Sequence, residues 1–152
     1  MIKEVKNFTK KNIILSIAFI LGLIIMGSYG YVKFMPEWFS RQATYNVVKE
    51  AFLTNKGYTN ELSKHMSQEV FKKTNIYSAY LLNDKETYKV DFNLKEDSLM
   101  KVAGTVYVKM TYTVIIMDLQ NKHVGGSLDI PITFTVKNIN NEWYITEKKE
   151  PA

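Results

Sequence analysis

Cysteine does not occur among the 152 residues, and histidine occurs only twice, as His65 and His123. Without thiols the chain cannot form a disulfide framework or a thiolate zinc site. The two histidines stand far apart, and neither belongs to an H-E-x-x-H or comparable motif. The adjacent carboxylates Glu96 and Asp97 are interpreted as solvated groups in a loop between strands. We therefore expect no catalytic residue, no metal and no cofactor, and a protein that is not an enzyme.

Most of the chain also lacks an excess of charge of either sign. Of the 20 basic and 15 acidic residues, five lysines and one glutamate lie in residues 1–33, a net charge of +4. The other 15 basic and 14 acidic residues lie in residues 34–152, a net charge of +1. A nucleic-acid-binding domain would carry a one-sided basic patch. We therefore expect no nucleic acid among the partners.

One long apolar run is present, because residues 12–32 are 21 residues without a charge. At about 1.5 Å per residue, about 20 helical residues span the ~30 Å hydrocarbon layer of a bilayer. Eleven of the 20 residues from Ile13 to Val32 are Leu, Ile, Phe or Val, and each favours insertion by roughly 0.3–0.6 kcal/mol. A cleavable signal has a shorter apolar region of ~7–15 residues. The run therefore predicts a retained transmembrane helix over residues 12–33.

The orientation of this segment follows from its flanking lysines. Four lysines precede the run, and two basic residues, Lys33 and Arg41, follow it. The positive-inside rule places the end with the greater basic charge in the cytoplasm. We therefore expect residues 1–11 to be a cytoplasmic tail and residues 34–152 to form a domain outside a single-pass cell membrane protein, with the lipid bilayer as one partner.

Helical periodicity dominates the first part of this domain. Four apolar residues lie four apart and predict the buried face of an amphipathic helix: Phe39, Ala43, Val47 and Ala51. Val48 and Phe52 extend the same face. Pro36 suits the first helical turn and Gly57 the end of the helix. The following stretch "LSKHMSQEVFKKT" predicts two short helices or one bent helix, with Ser67 as a cap.

From Tyr77 the apolar period changes to two, which is typical of strands with one buried face. The segment "ETYKVDFNL" predicts one strand, and the even-numbered residues from Val102 to Ile116 predict a longer one. The alternation from Leu128 to Val136 predicts a third strand, with a bulge or bend at Gly125-Gly126. Pro131 predicts an edge or an unpaired position in that strand.

Asn140-Asn141 predicts a hairpin turn before a last strand, in which Trp143 and Ile145 face inward. Helices followed by strands predict an α+β fold. The expected architecture is an N-terminal transmembrane helix, then helices packed on a curved antiparallel sheet of three to four strands.

This pattern resembles the nuclear-transport-factor-two-like (cystatin-like cone) superfamily. The resemblance rests on "LSKHMSQEVFKKT", the long strands after it, and the closing "NNEWYITEKKEPA". It implies helices laid in the cup of a strongly curved sheet. The membrane-anchored layout is similar to that of the bitopic scaffold subunits of type IV secretion and conjugation systems. It implies a scaffold component of a bacterial secretion or conjugation complex, with other membrane or envelope proteins as partners.

The face of the long strand that points away from the expected core carries the interaction candidates. They are Tyr107, Lys109, Ile115 and Met117. Ile115 and Met117 form an exposed apolar pair unless the sheet is rolled enough to cover both faces, and a partner protein or a homo-oligomer could cover them. We therefore predict an extracytoplasmic assembly or binding module.

The inward face offers a second interpretation. It carries Tyr88, Tyr112, Trp143 and, at the strand end near the turn, Asp118. We interpret Tyr88 and Tyr112 as core tyrosines whose hydroxyls lie at a rim. A buried general base would need a carboxyl group deep in the cup, and the strand centres offer none. The alternative function is a surface-tethered ligand-binding or enzymatic cup of the same superfamily.

Overall fold

A computed structural model describes residues 15–25, 36–82 and 87–151. Contacts divide the chain into two units, Met1–Met35 and Pro36–Ala152. In the first unit, residues 15–25 are α-helical with mostly exposed side chains. Within the described residues, no helix combines the length and the apolar character needed to cross a bilayer. The predicted tail over residues 1–11 and the rest of the predicted span lie outside the described residues.

The second unit begins with four helices, each of which starts at a side-chain cap. Helix α1 is Arg41–Leu53, α2 is Asn60–Ser63, α3 is Gln68–Thr74 and α4 is Ile76–Ala79. The Ser67 hydroxyl accepts a hydrogen bond from the Val70 amide, which confirms the predicted cap. Helix α4 was not predicted, because its few residues fall where the alternating pattern begins.

The first helix differs in detail from the prediction. It starts after Ser40 instead of near Pro36, because the Ser40 hydroxyl accepts a hydrogen bond from the Ala43 amide. It ends before Thr54, whose amide still donates to the Glu50 carbonyl. Its buried residues are Thr44, Val48, Ala51 and Phe52. Three of these, Val48, Ala51 and Phe52, were predicted to be buried, whereas the predicted residues Ala43 and Val47 are half-buried.

Four antiparallel strands follow, in the spatial order β1-β2-β3-β4. They are β1 Tyr88–Val102, β2 Thr105–Asp118, β3 His123–Ile139 and β4 Glu142–Lys149. The α+β class with a four-stranded antiparallel sheet is thus confirmed. The predicted long strand from Val102 is wrong in one respect. Ala103 and Gly104 have φ values of 47° and 76°, so they form a tight hairpin turn and divide β1 from β2.

Burial in β2 follows the predicted alternation, since every even-numbered residue from Val106 to Ile116 is buried. The helices pack on this side of the sheet, which is called the inner face below. Phe52 of α1 lies with its ring centre 4.9 Å from Phe92 and 5.0 Å from Tyr112. A parallel bridge joins Met66 to Ile145, and the Ile145 amide donates to the His65 carbonyl over 2.7 Å. The segment after α2 therefore pairs with the outer edge of β4.

The third strand departs from simple alternation. Its pairing with β2 shifts between Tyr112 and Val114 and again between Ile116 and Met117. These bulges flank the predicted bend at Gly125-Gly126. The prediction that Leu128 faces the core is wrong, because the first bulge turns its side chain outward and leaves it 67% exposed. The Asn140-Asn141 turn is confirmed by φ values of 55° and 67°.

Candidate functional site

His65 and the acidic turn residue Asp118 have structural contacts, whereas His123 is exposed. The His65 ring stacks on Trp143 at 4.0 Å between ring centres, which fixes the end of α2 against β4. His123 is exposed at the start of β3. The Asp118 carboxylate accepts hydrogen bonds from the Gln120 and Lys122 amides, at 2.9 and 2.8 Å. This carboxylate therefore holds the β2–β3 turn.

Glu96 and Asp97 lie within β1, so the prediction that they form a loop is wrong. The register shift between Glu96 and Ser98 makes Asp97 a bulge residue. Glu96 keeps the inner-face phase of Leu94, and its side chain is 9% exposed. Its Oε1 atom lies 2.6 Å from Arg41 Nε, yet this oxygen makes no hydrogen bond among the described residues. Because the two atoms are so close, we interpret the contact as a charge pair whose geometry does not favour a hydrogen bond.

A polar cluster lies at the inner face beside the end of β4. This mouth cluster consists of Tyr80, Tyr112, Ser127, Lys148 and Glu150. Lys148 Nζ lies 2.6 Å from Glu150 Oε1 and donates to the Lys73 carbonyl over 2.7 Å. The Tyr112 hydroxyl donates to the same Glu150 oxygen over 3.2 Å. Two donors thus converge on one carboxylate oxygen.

The apolar surroundings of the mouth cluster set its electrostatics. Lys148 Nζ lies 5.3 Å from the ring centre of Phe52 and 5.5 Å from that of Tyr112, distances at which a cation is attracted to the ring face. Burial lowers the pKa of Lys148, and the Glu150 carboxylate opposes that shift. Burial, followed by the charge of Glu150, raises the pKa of Tyr112. Tyr112 is therefore a hydrogen-bond donor at neutral pH.

A second pair of hydroxyls completes the cluster. Tyr80 Oη and Ser127 Oγ lie 2.6 Å apart, and the Tyr80 ring lies close to Gly125. Ser127 lies opposite Val114 on β2, one inner-face position beyond Tyr112. The described residues contain no group of three or more His, Asp or Glu side chains that could hold a metal.

Counting alternate residues from Trp143 and Ile145 does not predict that Lys148 lies on the inner face. The β3–β4 register shifts between Thr135 and Val136, with the extra residue on β4. This bulge moves the inner-face phase by one position, so Lys148 faces inward instead of Glu147. The closing run "EKKE" was the only sequence signal, and it is typical of a solvated strand end.

The four interaction candidates lie on the outer face of β2, but they form two groups. Tyr107 is half-buried opposite Met100, and Lys109 is exposed. Ile115 and Met117 are half-buried near the other end of the strand. At about 3.3 Å per strand residue, Tyr107 and Ile115 are roughly 26 Å apart. The structure therefore does not bring all four together.

Leu128 joins the second group as a residue that the sequence pattern missed. Ile115 pairs with Gly126, which contributes no side chain to cover it. Asp129 hydrogen-bonds through its carboxylate to the Thr113 hydroxyl at 3.1 Å on this face, and Leu128 precedes it. Ile115, Met117 and Leu128 are called the outer patch below. Its β1 neighbours are the polar residues Lys89 and Asp91.

No family model and no curated protein matches the chain. The solved structures that are similar to it include two from different sources. The intermembrane space region of chloroplast protein ARC6 is 15% identical, covers 75% of this chain and 98% of its own, and has a TM-score of 0.43. The Ntf2-like, potential transfer protein TraM from the Gram-positive conjugative plasmid pIP501 is 14% identical, covers 71% and 88%, and has a TM-score of 0.41. Both scores are below 0.5, so neither likeness carries an argument about this chain.

Proposed function

We propose that residues 36–152 form a binding or assembly module that is anchored in a cell membrane and displayed outside it. The observation that carries the proposal is that the two faces of the sheet are covered to different extents. Described helices cover the inner face, whereas no described element covers the outer patch. The specific form that we favour is a scaffold component of a bacterial secretion or conjugation complex, as the sequence resemblance implies.

The side chains of the outer patch fit a protein partner. Leu128 is 67% exposed, and Ile115 and Met117 are half-buried. Apolar residues that adjoin one another on a surface are typical of interaction sites, whereas isolated ones need no explanation. The polar residues Lys89 and Asp91 border the patch on β1, as a polar rim surrounds the apolar centre of many interfaces. The partner is another envelope protein or a second copy of this chain.

The inner face supports the non-enzymatic proposal. Lys148 and Glu150 neutralise each other, and Asp118 is engaged by turn amides. A general base must reach a substrate proton with a free lone pair and a suitable pKa. Within the part of the chain that the structure describes, the inner-face carboxylates of Glu96, Asp118 and Glu150 are each paired with a cation or with backbone amides. This arrangement favours a structural role for them.

The membrane part of the proposal rests on the apolar run of residues 12–32 and the lysines before it. Protease added to intact protoplasts should digest the C-terminal domain and spare a tag fused to the N-terminus. Permeabilised protoplasts, in which both parts are digested, serve as the control. Digestion of the tag alone would reverse the proposed orientation.

The association proposal is tested by charge insertion. The double variant Ile115→Lys, Met117→Lys should lose partner capture from solubilised membranes, or self-association in sedimentation, because both charges would have to be desolvated in a complex. The matched control is Met100→Lys, Val102→Lys, which replaces two exposed apolar residues by the same charge on the outer face of β1, at the end of the strand far from the patch. Equal association in both variants and the wild type would exclude the outer patch as an interface.

A ligand-binding cup is the second candidate function, and the mouth cluster specifically favours it. A cation and a hydroxyl converge on one carboxylate beside the rings of Phe52 and Tyr112. Small-molecule sites commonly combine an apolar lining with a few convergent polar groups. A thermal-shift screen with small organic molecules tests this function, and it is independent of the outer patch.

A further inference from the structure

The mouth cluster resembles a preorganised anion-binding site in which the anion, the Glu150 carboxylate, belongs to the chain itself. We infer that Lys148 and Tyr112 form a carboxylate-binding site, and that Glu150 occupies it in place of the carboxylate group of a small organic ligand. This inference rests on the second proposed function, the ligand cup. It adds the chemical class of the ligand and a self-occupied resting state.

The donors are fixed in position, which is the first requirement of such a site. The Lys148 side chain is 7% exposed, and the Lys73 carbonyl accepts one of its N–H groups over 2.7 Å. Tyr112 is also 7% exposed, and its ring packs against Phe52. Neither donor needs to reorganise when a carboxylate is bound, and such preorganisation reduces the cost of binding.

The site requires an anion for electrostatic reasons. A buried ammonium group without a counter-ion carries a large desolvation penalty. Burial lowers the pKa of Lys148 and the Glu150 carboxylate raises it again, so the carboxylate favours the charged lysine. The raised pKa of Tyr112 keeps its proton available for donation. Any carboxylate that replaced Glu150 would meet the same two donors.

Glu150 is the member of the cluster that is held least firmly. Its side chain is 40% exposed, and it is the first residue after β4. The last pair of the β3–β4 ladder is Thr133 with Lys149. Continuing that register would set Pro131 opposite Pro151, and neither residue has an amide N–H to extend the ladder. Glu150 can therefore leave the site without breaking a strand pair.

The hydroxyls of Tyr80 and Ser127 explain why a ligand could gain more than Glu150 does. Only one oxygen of Glu150 is engaged by Lys148 and Tyr112. The Tyr80–Ser127 pair lies one inner-face position further along β3. A free carboxylate, which is not tied to the backbone, can shift to place its second oxygen toward these hydroxyls.

Chemical rescue tests the inference on the full chain. Glu150→Ala leaves the Lys148 charge without its carboxylate and should lower the midpoint of thermal unfolding. Sodium acetate should raise that midpoint, whereas sodium chloride at equal ionic strength should not. At ten times its dissociation constant, acetate multiplies the ratio of folded to unfolded protein about eleven-fold. Glu150→Gln, which keeps the side-chain shape, provides a second variant if the alanine variant does not fold.

Two controls decide the result. The wild type should respond much less to acetate, because Glu150 already fills the site. The double variant Lys148→Met, Glu150→Ala should not respond, because the cation has gone and an apolar side chain of similar length replaces it. Absence of rescue, equal rescue in the double variant, or an equal response of the wild type would each overturn the inference. If another ligand class binds in the thermal-shift screen while acetate fails, the cup function stands and only the carboxylate inference is lost.

Discussion

Gly126 offers the sharpest test of the sheet geometry, because its neighbour Gly125 is a matched control. Gly126 has a φ of 149°, a region that residues other than glycine rarely occupy. A Cβ atom at this position would collide with the Val114 carbonyl oxygen and would lie 3.2 Å from the Ile115 Cα. A Cβ atom at Gly125 would meet Ile116 and Tyr80 at 3.9 Å, an ordinary contact distance. Only the first substitution therefore requires the backbones of β2 and β3 to separate.

The expected magnitude follows from comparing Gly126→Ala with Gly125→Ala. Both changes reduce the entropy of the unfolded chain by the same amount, so this contribution cancels in the comparison. Forced backbone strain costs about 1–3 kcal/mol, and one weakened ladder hydrogen bond costs about 0.5–1.5 kcal/mol. Gly126→Ala should therefore be less stable than Gly125→Ala by about 1.5–4.5 kcal/mol.

Urea unfolding of residues 36–152, followed by circular dichroism, measures this difference. With a denaturant slope of about 1–3 kcal/mol per molar, the two midpoints should differ by roughly 0.5 M or more. Gly125→Ala should unfold at or slightly above the wild-type midpoint. Equal midpoints for the two variants would refute the close approach of β2 and β3 at Gly126 and the bulges that flank it.

Three further predictions concern the core, the mouth cluster and the edge of α1. Phe134 is fully buried, so Phe134→Asp should abolish cooperative unfolding. The lost apolar burial and the buried charge together cost more than about 5 kcal/mol. A folded variant would mean that the faces of β3 are wrongly assigned. The folded-state pKa of Tyr112 is raised, so its contribution is complete below the unfolded pKa of about 10 and is lost as pH rises through the folded pKa. The stability difference between wild type and Tyr112→Phe should shrink above about pH 10, by up to about 1.4 kcal/mol per pH unit, and a pH-independent difference would contradict the shift. Arg41→Gln leaves the largely buried Glu96 without its cation and should cost about 1–3 kcal/mol. Lys73→Gln breaks only an exposed pair and should cost little, because solvent screens such pairs. Equal losses in calorimetry would argue against the Arg41–Glu96 pair.

The parts of the fold that the sequence predicted are those in which a period persists without interruption. The alternation in β2 is uninterrupted, and its even-numbered residues are buried as expected. Ser67 has the small polar side chain that a helix start requires, and it caps α3. Asn140-Asn141 tolerates positive φ and forms the turn. In these places one local physical rule decides the structure.

The remaining differences arise where two rules favour different structures. Val102 and Gly104 share the phase of β2, so period-two counting extended the strand through what is a hairpin turn at Ala103-Gly104. The residue before that glycine adopts a φ of 47°, which alanine seldom does. Sequence alone gave no reason to place a turn there. Long-range pairing of β1 with β2 overrides the local preference of Ala103.

Both candidate sites depend on bulges, and this explains why neither was complete in the sequence. A bulge shifts every later residue of a strand by one position, so a residue predicted to face one side faces the other. The bulge in β4 brings Lys148 to the inner face, where it meets Tyr112 and Glu150. The bulge in β3 turns Leu128 to the outer face, two residues after Gly126, which pairs with Ile115. A charge placed inside and a leucine placed outside both oppose the tendency of burial to sort side chains by polarity. The folded chain keeps both arrangements, and this is the physical reason to seek the function of the domain at these two places.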